Sequence, residues 1–165
     1  MSFDKRARRR RLVLVIAILI AAHFYIRPWV ASRFAPDLLM LAMMLVAIRS
    51  RPGVAAVAGF LVGLTADVLS PARFGAGALS HTIVGYLAAY GRAVFFPDNL
   101  LVNAGLFAVG VWLRSLIVLL ASGAGPSELA STLLIWGPIQ ALVTALVGVV
   151  VVVFFRDWLA IRLDE

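Results

Sequence analysis

Hydrophobic positions along this chain are gathered into six runs, and most charged residues lie outside them, chiefly at the two ends of the chain. The runs cover residues 12–30, 37–48, 53–69, 76–95, 100–121 and 129–155. Several approach the roughly 20 apolar residues that a helix needs to cross a hydrocarbon core of about 30 Å. The pattern predicts an all-α integral membrane protein, a six-helix transmembrane bundle within residues 12–155. Residues 1–11 and 156–165 are expected to be cytoplasmic tails.

The second run is too short for an ordinary span. It begins at Pro36 and Asp37, a proline and an acid that suit the exposed amides and the positive dipole end of a first helical turn. From Asp37 to Ile48 it covers only ~18 Å at 1.5 Å per residue. Such a helix must thin the bilayer, extend through the arginine-flanked loop that follows, or be shielded by protein.

Small residues form a stripe on the third run. Ala55, Gly59, Gly63 and Asp67 are spaced four apart, so they share one helical face that ends in a carboxylate. In lipid, small residues at this spacing let two helix backbones approach closely. We expect this face to pack against a neighbouring helix and to dock a partner protein. The loop that follows contains a proline and glycines, which predicts that runs three and four are antiparallel neighbours.

The later runs carry similar stripes of small or polar residues. Pro138 is expected to kink the last run. The stripes are His81, Gly85, Ala88 and Arg92 on the fourth run, Asn103, Gly110 and Arg114 on the fifth, and Gln140, Thr144 and Gly148 on the sixth.

Composition supports the membrane class, and the distribution of charge gives an orientation. Of the 165 residues, 63% are hydrophobic and 14% are charged, far from a soluble domain. The net charge of +7 comes largely from six basic residues within 5–11, which we interpret as an anchor to anionic lipids and not as a nucleic-acid arm. With both termini cytoplasmic, eleven lysines and arginines fall inside and three outside, as the positive-inside rule requires.

Few residues are candidates for chemistry. Asp67 and Arg114 lie at a similar expected depth, so an intramembrane ion pair between them is one hypothesis; the alternative is that Asp67 meets water at the headgroups. His81 is interpreted as a structural, hydrogen-bonded histidine, because the chain has no cysteine and only one other histidine, His23. Ser80 and His81 are adjacent and point about 100° apart, so they do not form a nucleophile and base pair. We therefore expect no catalytic residue, metal site or cofactor.

The order and spacing of four motifs resemble the rod-shape-determining membrane protein family MreD. They are APDLL at 35–39, GFLVGLTADVL at 59–69, FGAGAL at 74–79 and VGYL at 84–87. The residues that match the family pattern are Pro36, Asp37, Gly59, Gly63, Asp67, Gly75 and Gly85.

The resemblance implies a non-enzymatic adaptor of the bacterial cell-elongation machinery in the cytoplasmic membrane. Such proteins accompany the bitopic protein MreC, the actin-like MreB, and a glycosyltransferase and transpeptidase pair that build lateral peptidoglycan. The matching residues would then serve helix packing and partner docking. The family is also similar in fold to the substrate-binding subunits of energy-coupling-factor transporters. A substrate-binding subunit of a small-molecule transporter is therefore the alternative function.

Overall fold

The described part of the chain consists of helices joined by turns and short loops. A computed structural model describes residues 2–26, 29, 35–68, 71–94 and 100–159, and none of these forms a β-strand. In addition to the α-helices, a 3₁₀ turn spans Pro71–Arg73 and a π-helical turn spans Thr132–Trp136. The helices are α1 (Ser2–Ile26), α2 (Leu38–Ala47), α3 (Pro52–Val68), α4 (Ala76–Val94), α5 (Leu100–Ala121), α6 (Pro126–Ser131) and α7 (Gly137–Leu159).

The short helix α2 is the centre of the bundle. Nine of its ten residues are buried, on every side of the helix. It packs against α1, α3, α4, α5 and α7. A ten-residue helix measures about 15 Å, half of a hydrocarbon core. Of the three alternatives for this run, the structure shows shielding by protein.

Among the described residues, two helices are long and apolar enough to cross a membrane by length and composition. They are Leu100–Ala121 and the continuous helical stretch Pro126–Phe155; α2 and α3 are apolar but shorter. The basic segment that was expected to be a tail is the first part of α1, because this helix begins at Ser2. Of the C-terminal segment 156–165, residues 160–165 lie outside the described residues.

The face of small residues on α3 is filled by α4 of the same chain. A Cβ atom on Gly59 would overlap the carbonyl oxygen of His81, and one on Gly63 would lie 2.5 Å from the Cα of Ala78. A Cβ on Gly85 of α4 would in turn lie 2.7 Å from the carbonyl oxygen of Ala55. The expectation that this face docks a separate protein is corrected, because α4 already occupies the space.

The last helix changes its hydrogen bonding just before Pro138. The amide of Gly137 donates to Thr132, five residues back, and proline has no N–H for the next bond of that series, which would reach Leu133. The indole Nε1 of Trp112 on α5 donates to the Leu133 carbonyl at 3.0 Å instead. An acceptor left over by the proline thus fastens α5 to the π-helical turn.

The glycine contacts predict a large difference between two conservative substitutions. Gly59→Ala places a methyl group against backbone, so α3 and α4 must move apart, at a cost of about 1–3 kcal/mol. Gly105→Ala on α5 is the control, because a Cβ there meets nothing within 4 Å and alanine favours a helix by up to about 1 kcal/mol. Unfolding free energies in mixed detergent micelles measure both; equal effects would contradict this packing.

Candidate functional site

Two buried aspartates lie at one end of the bundle, which the charge distribution predicts to be the outer end. Asp37 immediately precedes α2, and Asp67 lies in the last turn of α3. Their exposed fractions are 4% and 2%. Burying a carboxylate is costly unless hydrogen bonds and opposite charge compensate it. The partners of these two side chains therefore define what this end of the molecule does.

Asp67 holds the start of α4. Its Oδ1 accepts from the amide of Gly77 at 2.8 Å, and its Oδ2 accepts from the amides of Gly75 at 3.1 Å and Ala78 at 2.9 Å. These amides belong to the turn before α4 and to its first turn, where N–H groups have no helical acceptor and the helix dipole is positive. Asp67 is therefore the cap that closes the α3–α4 hairpin.

Two glycines make room for this cap. Gly75 has a φ of +92°, a conformation that side chains with a Cβ rarely adopt. A Cβ on Gly77 would overlap Oδ1 of Asp67, so only glycine lets the carboxylate approach the amide. Sequence reasoning selected Gly75 and passed over Gly77, although Gly77 lies in the quoted FGAGAL motif.

Asp37 holds the start of α2 and connects it to two long helices. Its Oδ1 accepts from the amide of Met40 at 2.9 Å, an N-cap bond. Its own amide donates to Oγ1 of Thr144 on α7 at 3.0 Å, and Nη1 of Arg114 on α5 lies 3.4 Å from its Oδ2. Gln140 on α7 donates to the carbonyl of Ala35 at 3.2 Å. The half-buried Pro36 lies between these anchored residues.

The expected ion pair between Asp67 and Arg114 is corrected. Arg114 pairs with Asp37, whereas Asp67 is satisfied by three backbone amides. Depth along a helix placed Arg114 near the acids but could not select between them, because both carboxylates lie at the same end. The signal for the actual partner was the Pro36–Asp37 helix start, which puts a carboxylate at the head of the central helix.

Ser80 and His81 are both tied to one backbone carbonyl. Oγ of Ser80 donates to the oxygen of Gly77 at 2.9 Å, and Nδ1 of His81 lies 2.8 Å from the same oxygen. Since a carbonyl only accepts, Nδ1 carries the hydrogen. His81 is fully buried, and this bond matches its interpretation as a structural histidine. The two side chains point to Gly77 and do not form a nucleophile and base pair.

A cavity of about 190 Å³ lies between the two aspartates. Its lining is mixed in charge and includes Asp37, Asp67, Arg73, Arg114 and His23. Arg73 also forms an exposed ion pair with Glu128 of α6, at 2.7 Å. Within the described residues, no cluster of three or more histidine, aspartate or glutamate side chains is arranged to hold a metal. The cavity therefore offers hydrogen bonds and charges of both signs.

These observations define an all-helical membrane protein in which buried carboxylates fasten helix ends at one end of a small bundle. A comparison with protein families then places it: the family described as rod shape-determining protein MreD matches residues 6–161, nearly the whole chain. The chain belongs to the MreD family, and membership implies a role in determining rod shape. Comparisons with curated proteins and with solved structures found no match.

The Asp67 cap predicts a graded loss of stability. Asp67→Ala leaves three amides without their acceptor, and since a hydrogen bond to a charged group contributes about 1.5–3 kcal/mol, we expect a loss of at least about 3 kcal/mol. Asp67→Asn keeps one carbonyl oxygen and should lose less. Glu128→Gln, which removes an exposed carboxylate, is the control and should cost under about 1 kcal/mol. Denaturant unfolding in micelles measures the three losses of stability. Similar losses for Asp67→Ala and Glu128→Gln would refute the cap.

A double-mutant cycle identifies the partner of Arg114. Arg114→Met leaves the buried Asp37 carboxylate without its cation. The loss of unfolding free energy caused by Arg114→Met should therefore be smaller by more than about 1 kcal/mol in an Asp37→Asn background. The matched cycle with Asp67→Asn should be additive within about 0.5 kcal/mol. The unfolding free energies of the five variants and the wild type supply both cycles. A larger coupling energy between Arg114 and Asp67 than between Arg114 and Asp37 would contradict the structure and support an ion pair between Asp67 and Arg114.

Proposed function

We propose that this chain is a non-enzymatic scaffold subunit of the bacterial cell-elongation complex. It would support rod shape and lateral peptidoglycan synthesis by associating with an MreC-type bitopic protein, and through it with an MreB-like filament and the glycosyltransferase and transpeptidase pair. The observation that carries the proposal is the MreD family match over residues 6–161.

The use of the buried polar groups supports a scaffold. Asp67 and Asp37 bind helix-start amides, Thr144 accepts from the Asp37 backbone, and Ser80 and His81 share the Gly77 carbonyl. Each of these groups makes at least one hydrogen bond to the backbone, and the buried Nε2 of His81 is left without a partner. An enzyme would instead need such groups aimed at a place where a reacting atom can lie.

The proposed topology has six spans and both termini in the cytoplasm of a cell with an inner membrane. It counts α1 to α5 once each and the α6–α7 stretch once. The short helix α2 is compatible with this topology because other helices surround it, so it does not have to match the thickness of the bilayer. The arginines after α2 and at the end of α4 then face the cytoplasm, in keeping with the positive-inside rule.

A partner helix would bind a face other than the small-residue face of α3. Large apolar side chains remain exposed on several helices: Val57 is 62% exposed on α3, Tyr86 47% on α4, Val109 62% on α5 and Leu146 67% on α7. In a membrane helix these side chains contact lipid or another protein. We propose that one of these four faces carries the bitopic partner.

A transporter subunit is the second candidate, favoured by the cavity between Asp37 and Asp67. Mixed-charge polar groups in a pocket suit a small zwitterionic solute. The fold would then resemble a substrate-binding subunit of an energy-coupling-factor transporter. The two functions differ in an accessible way: a transporter subunit binds a solute when purified alone, whereas a scaffold binds a protein partner.

The absence of cysteine from the sequence gives a clean test of the scaffold. Single cysteines at 57, 86, 109 and 146 are introduced into the chain, and one cysteine is placed at each turn of the partner's transmembrane helix. We expect disulfide crosslinking from one helix face and little from the other three. Depletion of the chain in its rod-shaped host should give spherical cells, and complementation by Gly105→Ala is the control. Crosslinking from no face, together with unchanged shape on depletion, would refute the proposal.

A further inference from the structure

Two arginines lie together at the end of the bundle opposite the aspartates. Helices α2 and α4 both start beside the cavity, which Asp37 and Gly77 line, so they run in the same direction. They touch where Gly85 faces Met43, whose Sδ would lie 3.0 Å from a Cβ on that glycine. Arg49 is six residues beyond Met43 and Arg92 is seven beyond Gly85, about 9–11 Å further along at 1.5 Å per residue. The two guanidinium groups thus project from the same depth.

The charges of this pair are not balanced by the described residues. Nη2 of Arg49 is buried and has no hydrogen-bond partner. Burial, followed by the positive charge of Arg92, lowers the pKa of Arg49, which follows the last turn of α2. Among the carboxylates whose side chains the structure describes, none lies within ion-pair distance of either arginine. A buried donor beside a like charge is costly, and a bound anion would remove both costs.

We propose that Arg49 and Arg92 form a binding site for one phosphate group. Guanidinium groups present planar, paired N–H donors that match phosphate oxygens, and two of them can share one phosphate. The unpartnered Nη2 of Arg49 supplies a donor on the inner side of the site. The site requires no partner protein, so it does not rest on the scaffold function.

The phosphate can come from an anionic lipid headgroup or from a soluble phosphate. A headgroup is at the right place, since Arg49 follows the end of α2 and Arg92 lies in the last turn of α4, at the depth expected for the phosphate layer of a bilayer. It differs from the anchor at residues 5–11, which depends on many charges in sequence. Here two side chains from separate segments come within electrostatic range of each other because α2 and α4 pack together.

Native mass spectrometry of the full chain in detergent, titrated with phosphatidylglycerol, tests the site. Arg49→Gln and Arg92→Gln should each weaken the apparent Kd for the first bound lipid by about ten-fold, the equivalent of one charge-assisted hydrogen bond. Arg51→Gln is the matched control: it removes the same charge from an exposed neighbour and should change the Kd by less than about two-fold. Phosphatidylethanolamine is the lipid control: it carries the same phosphate beside an ammonium group that the two arginines repel, so it should bind more weakly than phosphatidylglycerol.

A second arm separates the two sources and the remaining outcomes. In this arm, inorganic phosphate competes with the lipid. If phosphate displaces the lipid at equal concentration, and its binding depends on Arg49 and Arg92 in the same way, the site belongs to a soluble phosphate. Weak competition by phosphate supports a headgroup. Equal lipid binding by the wild type, Arg49→Gln and Arg92→Gln overturns the proposal. Asp98 lies outside the described residues and is the carboxylate nearest to Arg92 in sequence. Binding that appears only in Asp98→Asn also overturns the proposal, because a carboxylate of this chain would then be the counter-ion. If Arg49→Gln fails to fold, Arg92→Gln alone decides.

Discussion

Unsatisfied amides at the start of a helix are the constraint on which this structure depends. In an apolar surrounding, each such amide costs free energy unless an acceptor reaches it. Asp67 supplies that acceptor for α4, and Asp37 supplies it for α2. The buried carboxylate of Asp37 needs a further partner and draws in α5 through Arg114, while the backbone amide of Asp37 draws in α7 through Thr144. Satisfying two helix starts therefore links most of the bundle.

This arrangement explains how a ten-residue helix can be the core of a membrane protein. Lipid offers no hydrophobic force that would drive α2 inward, so close packing and polar contacts must hold it there. Small residues on α3 and α4 allow these two helices to approach each other, and Gly110 on α5 lies against Met44 and Met40 of α2. The glycines thus serve the interior, and the surface left for other proteins is made of large apolar side chains.

The consequence for function is a division of the molecule. One end is fastened by carboxylates around a mixed-charge cavity, the other carries paired arginines, and the sides between them are apolar. An arrangement of this kind suits a protein of the MreD family, which has a role in determining rod shape. The cavity between the aspartates gives the second candidate, a transporter subunit, its structural basis.

The local sequence determined where the helices lie and which of their faces pack closely. Run length and apolar composition predicted helices, Pro36–Asp37 marked a helix start, and the four-residue spacing of Ala55, Gly59 and Gly63 defined a close-packing face. Helical periodicity shows which residues share a face, but the contact across that face depends on how distant segments meet. Tertiary structure alone therefore decided that α4, and not a partner protein, fills the face of small residues on α3. It also decided that Asp37 pairs with Arg114 and that Asp67 caps α4. Gly77 was missed for the same reason, because its role depends on a carboxylate ten residues away.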